Sequence, residues 1–409
     1  MNAMANVIPR HPLALPYPLR ICIVVPYDLA DSGGVKHHAV HLAKALREEG
    51  HQVTLVGPSS RESDDPNRLV IRNVVNIRSN GAGNPMALLG AGSILKRFFA
   101  ENTFDIIHVH EPPIPSLSYW SAWLTPGVPK VATFHAYSEA PSLGIRILQS
   151  LAAPILYPYF DHAVAVSPSA ARYASQTWHR PLPIVPNGIP VQMFAPTVPE
   201  APRQGSRRIL AIGRLADARK GIAPMIEAFR LLRAEDRSYT LDVIGDGPER
   251  DGLPAVDGLR YYPRLPLSEL IEHYHASDLF AAPATGQESF GIVLLEAMAA
   301  GKPIVCSNIG GYRDVARPMG ASFVPPGDPV ALAREIRTLL EDESRRREMS
   351  AFNLSYVRRF DWSVVVRDVL GAYQVAIENR RARRALLGQD FARTRELARM
   401  ADMRGAAAR

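Results

Sequence analysis

Short β-branched runs alternate along this chain with longer segments of helical period, and then the whole pattern starts again. RICIVVP, HQVTLVG, FDIIHVH, KVATFH, HAVAVS and LPIVPNG follow one another in the first half, with a helix predicted from about 34 to 49 after the first. RRILAIGR, YTLDVIGDG, LFAAPA, KPIVCS and SFVPPG repeat the arrangement in the second, with helices predicted near 221 to 234, 289 to 300 and 328 to 340. Such runs predict parallel strands buried on both faces, because parallel neighbours need a crossover and crossover helices cover the sheet. The expected fold class is α/β: two Rossmann-like, doubly wound domains facing a central cleft, with ligands outside the carboxyl ends of the strands.

At 409 residues the chain is longer than one hydrophobic core usually fills, which agrees with two domains. The predicted boundaries are a flexible extension over 1–19, a first domain over 20–190, a Pro-rich linker over 191–206, a second domain over 207–360 and an arginine-rich tail over 381–409. Residues 380–409 hold nine arginines against three acids, so six of the seven net positive charges belong to that stretch. The body is nearly neutral and offers no basic surface to a nucleic acid. No apolar run approaches the ~20 residues that cross a bilayer, and prolines interrupt the first residues where a signal peptide needs a continuous apolar stretch. A cytoplasmic location is expected. Cys22 and Cys306 lie in strand-like runs and read as core thiols rather than a bridge or a metal pair.

Four stretches carry possible chemistry. Gly33 and Gly34 stand where a strand gives way to a helix and let backbone amides approach an anion, although a tight turn accounts for them equally. They are not a dinucleotide fingerprint, since the G-x-G-x-x-G spacing is absent and strand two ends in Gly57-Pro58 without a ribose-binding acid. GRLADARKG places Gly213, Arg214 and Lys220 just after a strand, where two cations could hold a diphosphate; an ordinary solvated loop is the alternative. Gly245 and Asp246, in GDGPER, suit a backbone lining a nucleotide or a plain turn.

The fourth stretch, ESFGIVLLE, has acids at Glu288 and Glu296 around an apolar run. If a helix begins just after Glu288, the amides of Ser289, Phe290 and Gly291 face an anion, with Ile292 close behind. Eight helical residues separate the carboxylates by roughly 12 Å, too far to flank one bond but suited to gripping two ends of an elongated ligand. A salt-bridged structural acid is the alternative for Glu296. No D-x-D stands beside a strand end, so no metal and no cofactor is expected in ligand binding; Asp64-Asp65 reads as solvated charge.

GGV, HEPPIPSLS, ATFH, PNGI, GRLADARKG, GDG, the E-x7-E of ESFGIVLLE and DWSVV together resemble retaining glycosyltransferase family 4, of the GT-B fold, over about residues 20 to 378. Their order is most similar to the branch that mannosylates phosphatidylinositol. The resemblance implies a first domain for the acceptor, a second for the nucleotide-sugar donor, and a crossover helix over 361–380 that returns to the first. It implies Arg214 and Lys220 on the diphosphate, Glu288 on the donor sugar, Glu296 on its ribose and Gly34 near the phosphates. His135 would stand between donor sugar and acceptor, with Tyr27, Asn80 and His110 on the acceptor side; a core histidine is the other reading of His135. The implied reaction moves a hexose, foremost mannose from GDP-mannose, to a lipid head-group hydroxyl, by front-face displacement with retention. Three alternatives stay open: a UDP-sugar-dependent transferase, a non-catalytic sugar-nucleotide-binding subunit, and a nucleotide-sugar epimerase.

The chain departs from the resembled enzymes in three places. The helix predicted in GAGSILKRFFAEN carries only Lys96 and Arg97 where those enzymes have a basic cluster for the membrane. The arginine tail is the expected substitute, giving peripheral contact with an anionic membrane at the inner face of the cell; a disordered solubilising tail is the alternative. Gln287 stands where glycine is usual, and GRLADARKG lacks the acid-proline pair common in that loop.

Overall fold

RICIV is a strand covered on both faces: Ile21 to Val24 are fully buried, and successive side chains alternate between two separate cores. The computed structural model describes residues 18–30, 33–62, 65–72, 74–79, 82–87, 91–114, 117–138, 143–196, 207–215, 217–246 and 254–407. Its first half runs β1 (Arg20–Val24), α1 (Gly34–Glu48), β2 (Gln52–Pro58), β3 (Arg68–Ile71) and an antiparallel pair, β4 (Val74–Ser79) and β5 (Ala82–Ala87). It continues through α2 (Ala91–Glu101), β6 (Ile106–His110), α3 (Leu117–Leu124), β7 (Lys130–Phe134), α4 (Leu143–Leu156), β8 (His162–Ala165), α5 (Pro168–Ala174) and α6 (Val191–Phe194).

The second half comprises β9 (Arg207–Ile212), α7 (Ile222–Glu235), β10 (Tyr239–Ile244), β11 (Leu259–Tyr262), α8 (Leu267–Ala276) and β12 (Leu279–Ala282). It ends with α9 (Ile292–Ala299), β13 (Ile304–Ser307), α10 (Gly310–Val315), β14 (Ala321–Val324), α11 (Pro329–Glu341), α12 (Glu343–Tyr356) and α13 (Trp362–Ala407). Each half holds a six-stranded parallel sheet, ordered β3-β2-β1-β6-β7-β8 and β11-β10-β9-β12-β13-β14. The two orders are the same pattern, and in both the order reverses beside the first strand, which opens a crevice at the carboxyl ends.

Several expectations change. LPIVPNG forms no strand: Ile184 makes one isolated bridge to Ala165, because Pro183 and Pro186 cannot donate to a ladder. The extension predicted to reach residue 19 stops short of it, since Leu19 is fully buried; residues 1–17 lie outside the described ones. Val191–Phe194 is a short helix whose Phe194 ring meets Tyr274 at 5.9 Å, while 197–206 lie outside the described residues. The arginine-rich segment is the continuation of α13, not a separate tail. The two cysteines are buried and unpaired.

α13 lies on the first sheet. Val365, Val366, Val369, Leu370 and Tyr373 share one core with Ile21, Ile23, Val53, Val131 and Val164, on the face that α1 also covers. The chain passes from one half to the other twice at one place, where Ile189 N–H donates to Phe360 and Trp362 N–H donates to Ile189.

Candidate active site

The carboxyl ends of the first sheet carry a cluster of imidazoles. His110 Nδ1 and His135 Nε2 are hydrogen-bonded at 2.8 Å, His108 stacks on His110 at 4.5 Å, and His38 from α1 lies edge-on to both His110 and His135. His108 is held between the Tyr373 hydroxyl, at 2.9 Å, and Thr133 Oγ1, at 2.6 Å. Burial lowers the pKa of His38 and His108 to about 3 and drives those of His110 and His135 well below the usual value, so all four rings are neutral. His38, His110 and His135 each offer a nitrogen within 4.8 Å of the others and could hold a metal ion, although one pair among them is already hydrogen-bonded.

Glu111 follows β6 directly, with φ of 50° in the region where side chains are strained. This backbone turn buries its carboxyl, and Oε1 accepts from the His135 and Ala136 amides. Burial pushes the acid up to about 7, opposed by those two amides. Tyr27 is close enough for Glu111 to raise its phenol further, after burial has raised it first. Tyr27, His110 and His135 thus gather at one strand-end cluster; Asn80 lies outside the described residues.

In the second half Lys220 Nζ and Glu288 Oε1 form an ion pair at 2.5 Å. Lys220 is held by a one-turn helix that Asp217 caps by accepting from the Arg219 amide. Asp217 also pairs with the Arg219 guanidinium at 2.7 Å and with Arg214 at 3.5 Å, which keeps both cations at the mouth of β9. A side chain on Gly245 would stand 2.0 Å from the Gly213 carbonyl. Gly245 therefore answers first to the backbone of Gly213, where the ends of β9 and β10 touch, while a side chain on Gly213 would stand 3.0 Å from Lys220 Cβ. Asp246 accepts from the Leu215 amide at 2.7 Å through its carbonyl.

The helix expected to start after Glu288 starts at Ile292 instead. Gly291 has φ of 86°, a left-handed conformation that ends any helix reaching it from the other side, so 288–291 is a loop. The rise of eight helical residues therefore does not describe the spacing of Glu288 and Glu296. Phe290 turns into the core against Phe360 at 6.1 Å, leaving only its backbone to the cleft. Among the described residues Glu296 makes no salt bridge: the Tyr274 hydroxyl donates to it at 2.9 Å, and burial raises its pKa while that bond lowers it. Gln287 adopts φ of 58°, which explains physically why glycine suits this position.

The two halves meet across these loops. Ser167 Oγ donates to the Ser289 carbonyl at 2.5 Å, and the Ser169 amide donates to Asp314 at 2.7 Å. Ile292 stands 3.6 Å from where a side chain on Gly34 would begin, so the starts of α1 and α9 face one another. Gly33 has nothing within 4 Å of its missing side chain. Gly311 packs on the Glu288 carbonyl and Gly310 on Tyr137, two residues beyond His135. Sequence reasoning passed over Glu111, His38 and His108, though HEPP, KHH and FDIIHVH contain them: nothing in their spacing shows that strand ends converge.

The family described as Glycosyltransferase Family 4 matches residues 32–193, and that described as Glycosyl transferases group 1 matches residues 198–353. The phosphatidyl-myo-inositol mannosyltransferase of Mycolicibacterium smegmatis is 34% identical over 371 residues, covering 87% of this chain and 94% of that protein. That of Propionibacterium freudenreichii is 31% identical, covering 91% and 99%. Among solved structures, a glycosyltransferase from Rickettsia africae superposes with a TM-score of 0.69 at 20% identity, covering 89% of this chain and all of that one. Two matched domains, the GT-B arrangement and 34% identity over 87% of the chain to a phosphatidyl-myo-inositol mannosyltransferase make the chain a member of glycosyltransferase family 4.

Proposed function

We propose that this glycosyltransferase moves mannose from GDP-mannose to a hydroxyl of the inositol head group of phosphatidylinositol, with retention at the anomeric carbon and without a metal in donor binding. The supporting observation is 34% identity across 87% of the chain to a phosphatidyl-myo-inositol mannosyltransferase. The Lys220–Glu288 pair suits that chemistry. A diphosphate entering at the end of β9 would draw Lys220 and Arg214 to itself, and Glu288 would then accept from a hydroxyl of the donor sugar. Gly34, Gly213, Gly245, Asp246 and the loop Ser289–Ile292 would border the donor, and Glu296, fixed by Tyr274, would take the ribose.

In the reaction proposed, the acceptor oxygen bonds to the anomeric carbon as the bond from that carbon to phosphate breaks, and the acceptor proton passes to the leaving phosphate. Placement and neutralisation of the departing diphosphate would supply most of the rate. A neutral His135 can orient the acceptor hydroxyl without placing a charge beside the donor's anomeric carbon. Glu111 is turned onto the His135 and Ala136 amides, so it is not set to attack that carbon.

Calorimetric titration with GDP and with UDP, in the presence of a chelator, tests this reading. Tight GDP and weak UDP binding is expected, followed by mannosylation of phosphatidylinositol vesicles. Preference for UDP would transfer the reading to a UDP-sugar enzyme, and binding that vanishes with chelator would overturn metal independence.

A further inference from the structure

The large apolar side chains left exposed in this protein are not spread evenly. Among the described residues of the second half before α13 they are Leu231, Leu267 and Val330, on three separate helices, and Met319, in a loop. In the first half, apart from Ile184 and Met193, they gather on α2, α3 and α4, the helices that cover one face of the first sheet. α4 presents Ile147, Leu151 and Ile155 at four-residue spacing, a single stripe whose last two members are 67% and 73% exposed. On α3, Trp120 and Trp123 stack at 5.9 Å with ring planes 13° apart, and Trp123 is 63% exposed.

The rim of this face is cationic. Arg383 donates to the Pro158 carbonyl just past α4, and Arg384 to the Gly127 carbonyl just past α3, so one turn of α13 bridges the ends of both helices. Leu386 and Leu387 follow immediately, both well exposed. Neither α3 nor α4 contains an aspartate or glutamate. By contrast Arg97 on α2 is paired with Glu101 at 2.8 Å, which weakens α2 as the source of attraction.

We propose that the outer face of α3 and α4, with Arg383 and Arg384 of α13 at its edge, docks on an anionic lipid bilayer. Aliphatic side chains in a stripe, indoles beside them and guanidinium groups at the border match the boundary between acyl chains and negative head groups; the one acid that Arg383 reaches, Asp161, is fully buried and shared with Arg380. The proposal rests on the lipid-acceptor reading for its purpose, and it places apolar insertion by α3 and α4 ahead of basic attraction by α2.

The test is flotation of the full chain with vesicles of equimolar phosphatidylcholine and phosphatidylglycerol, which contain no inositol lipid and so probe docking apart from acceptor choice. Trp123→Ser, Leu151→Ser and Ile155→Ser combined should weaken vesicle binding at least about tenfold. Thermal melting and nucleotide binding should stay unchanged, since all three side chains are exposed. Leu231→Ser with Val330→Ser, on the second half, should bind as the parent does. No vesicle binding by the parent, equal binding by the triple variant, or a parental dimer that the triple variant converts to monomer would each overturn the proposal, the last by assigning the face to a second copy of the chain.

Discussion

The two sheets share one strand order, yet their cleft ends are chemically opposite. The first ends in four neutral, buried imidazoles and a carboxyl whose pKa has risen to about 7. The second ends in Arg214, Asp217, Arg219, Lys220 and Glu288, an ion-pair network in which Lys220 is still 26% exposed. Topology makes a crevice in both; the side chains at the strand ends decide what each can hold. A diphosphate calls for cations that can turn toward it, and a hydroxyl awaiting transfer calls for neutral partners in a dry place.

The sharpest way to break this contrast is to exchange what each end contributes. Lys220→Ala and Glu288→Ala should lower transfer about 10²–10³-fold while melting stays near the parent. Lys220→Ala should also weaken GDP binding, whereas His135→Ala should lower transfer with GDP affinity kept. Initial rates and calorimetry check both, and GDP affinity lost with His135 would erase the division of labour.

Acid should act on the first half before the second. Eight histidines have pKa values lowered mainly by burial, so the unfolded chain binds their protons first as pH falls below 6.5. Their effect is absent above that pH and grows below it, by about 1.4 kcal/mol per pH unit for each proton taken up. Glu111 and Glu296, both raised, work in the opposite sense, losing stability as pH rises from 4.5 through their folded values. The imidazoles outnumber them, so urea midpoints should fall steadily from pH 7 to pH 5. A flat profile would show that the cluster admits water.

A finer comparison sets one glycine against another. Gly245→Ala drives a methyl into the Gly213 carbonyl and should cost about 1–3 kcal/mol of stability. Gly33→Ala meets nothing within 4 Å and should leave melting unchanged while weakening donor binding. Smallest of all, Gln287→Gly should stabilise by roughly 0.5–1 kcal/mol, since it relieves a positive φ. Thermal denaturation of the three variants separates these cases.

What could be read from the sequence was what burial writes into it. Ile21 to Val24 and Leu279 to Ala282 announce central strands because both faces are covered. RLVI and LRYY, at the sheet edges, are only partly buried and gave no such signal. The motif loops could be located, but not their turns: the left-handed Gly291 that delays α9 and the strained Glu111 that points its acid inward are decided by neighbours distant in the chain. The partner of Glu296 was likewise out of reach, because Tyr274 sits twenty-two positions before it on another helix. Proline spacing in LPIVPNG was visible, and weighing it would have removed one strand.

The last helix bears on the order in which the protein is built. Ile21, Val53, Val131 and Val164 wait for Val365, Val369 and Tyr373 to cover them, and His108 waits for the Tyr373 hydroxyl. A chain emerging from the ribosome begins folding from its amino end. Here the earliest-made sheet must keep the part of that face which α1 does not cover open until nearly the whole polypeptide has been synthesised, so the first half is born early but finished last.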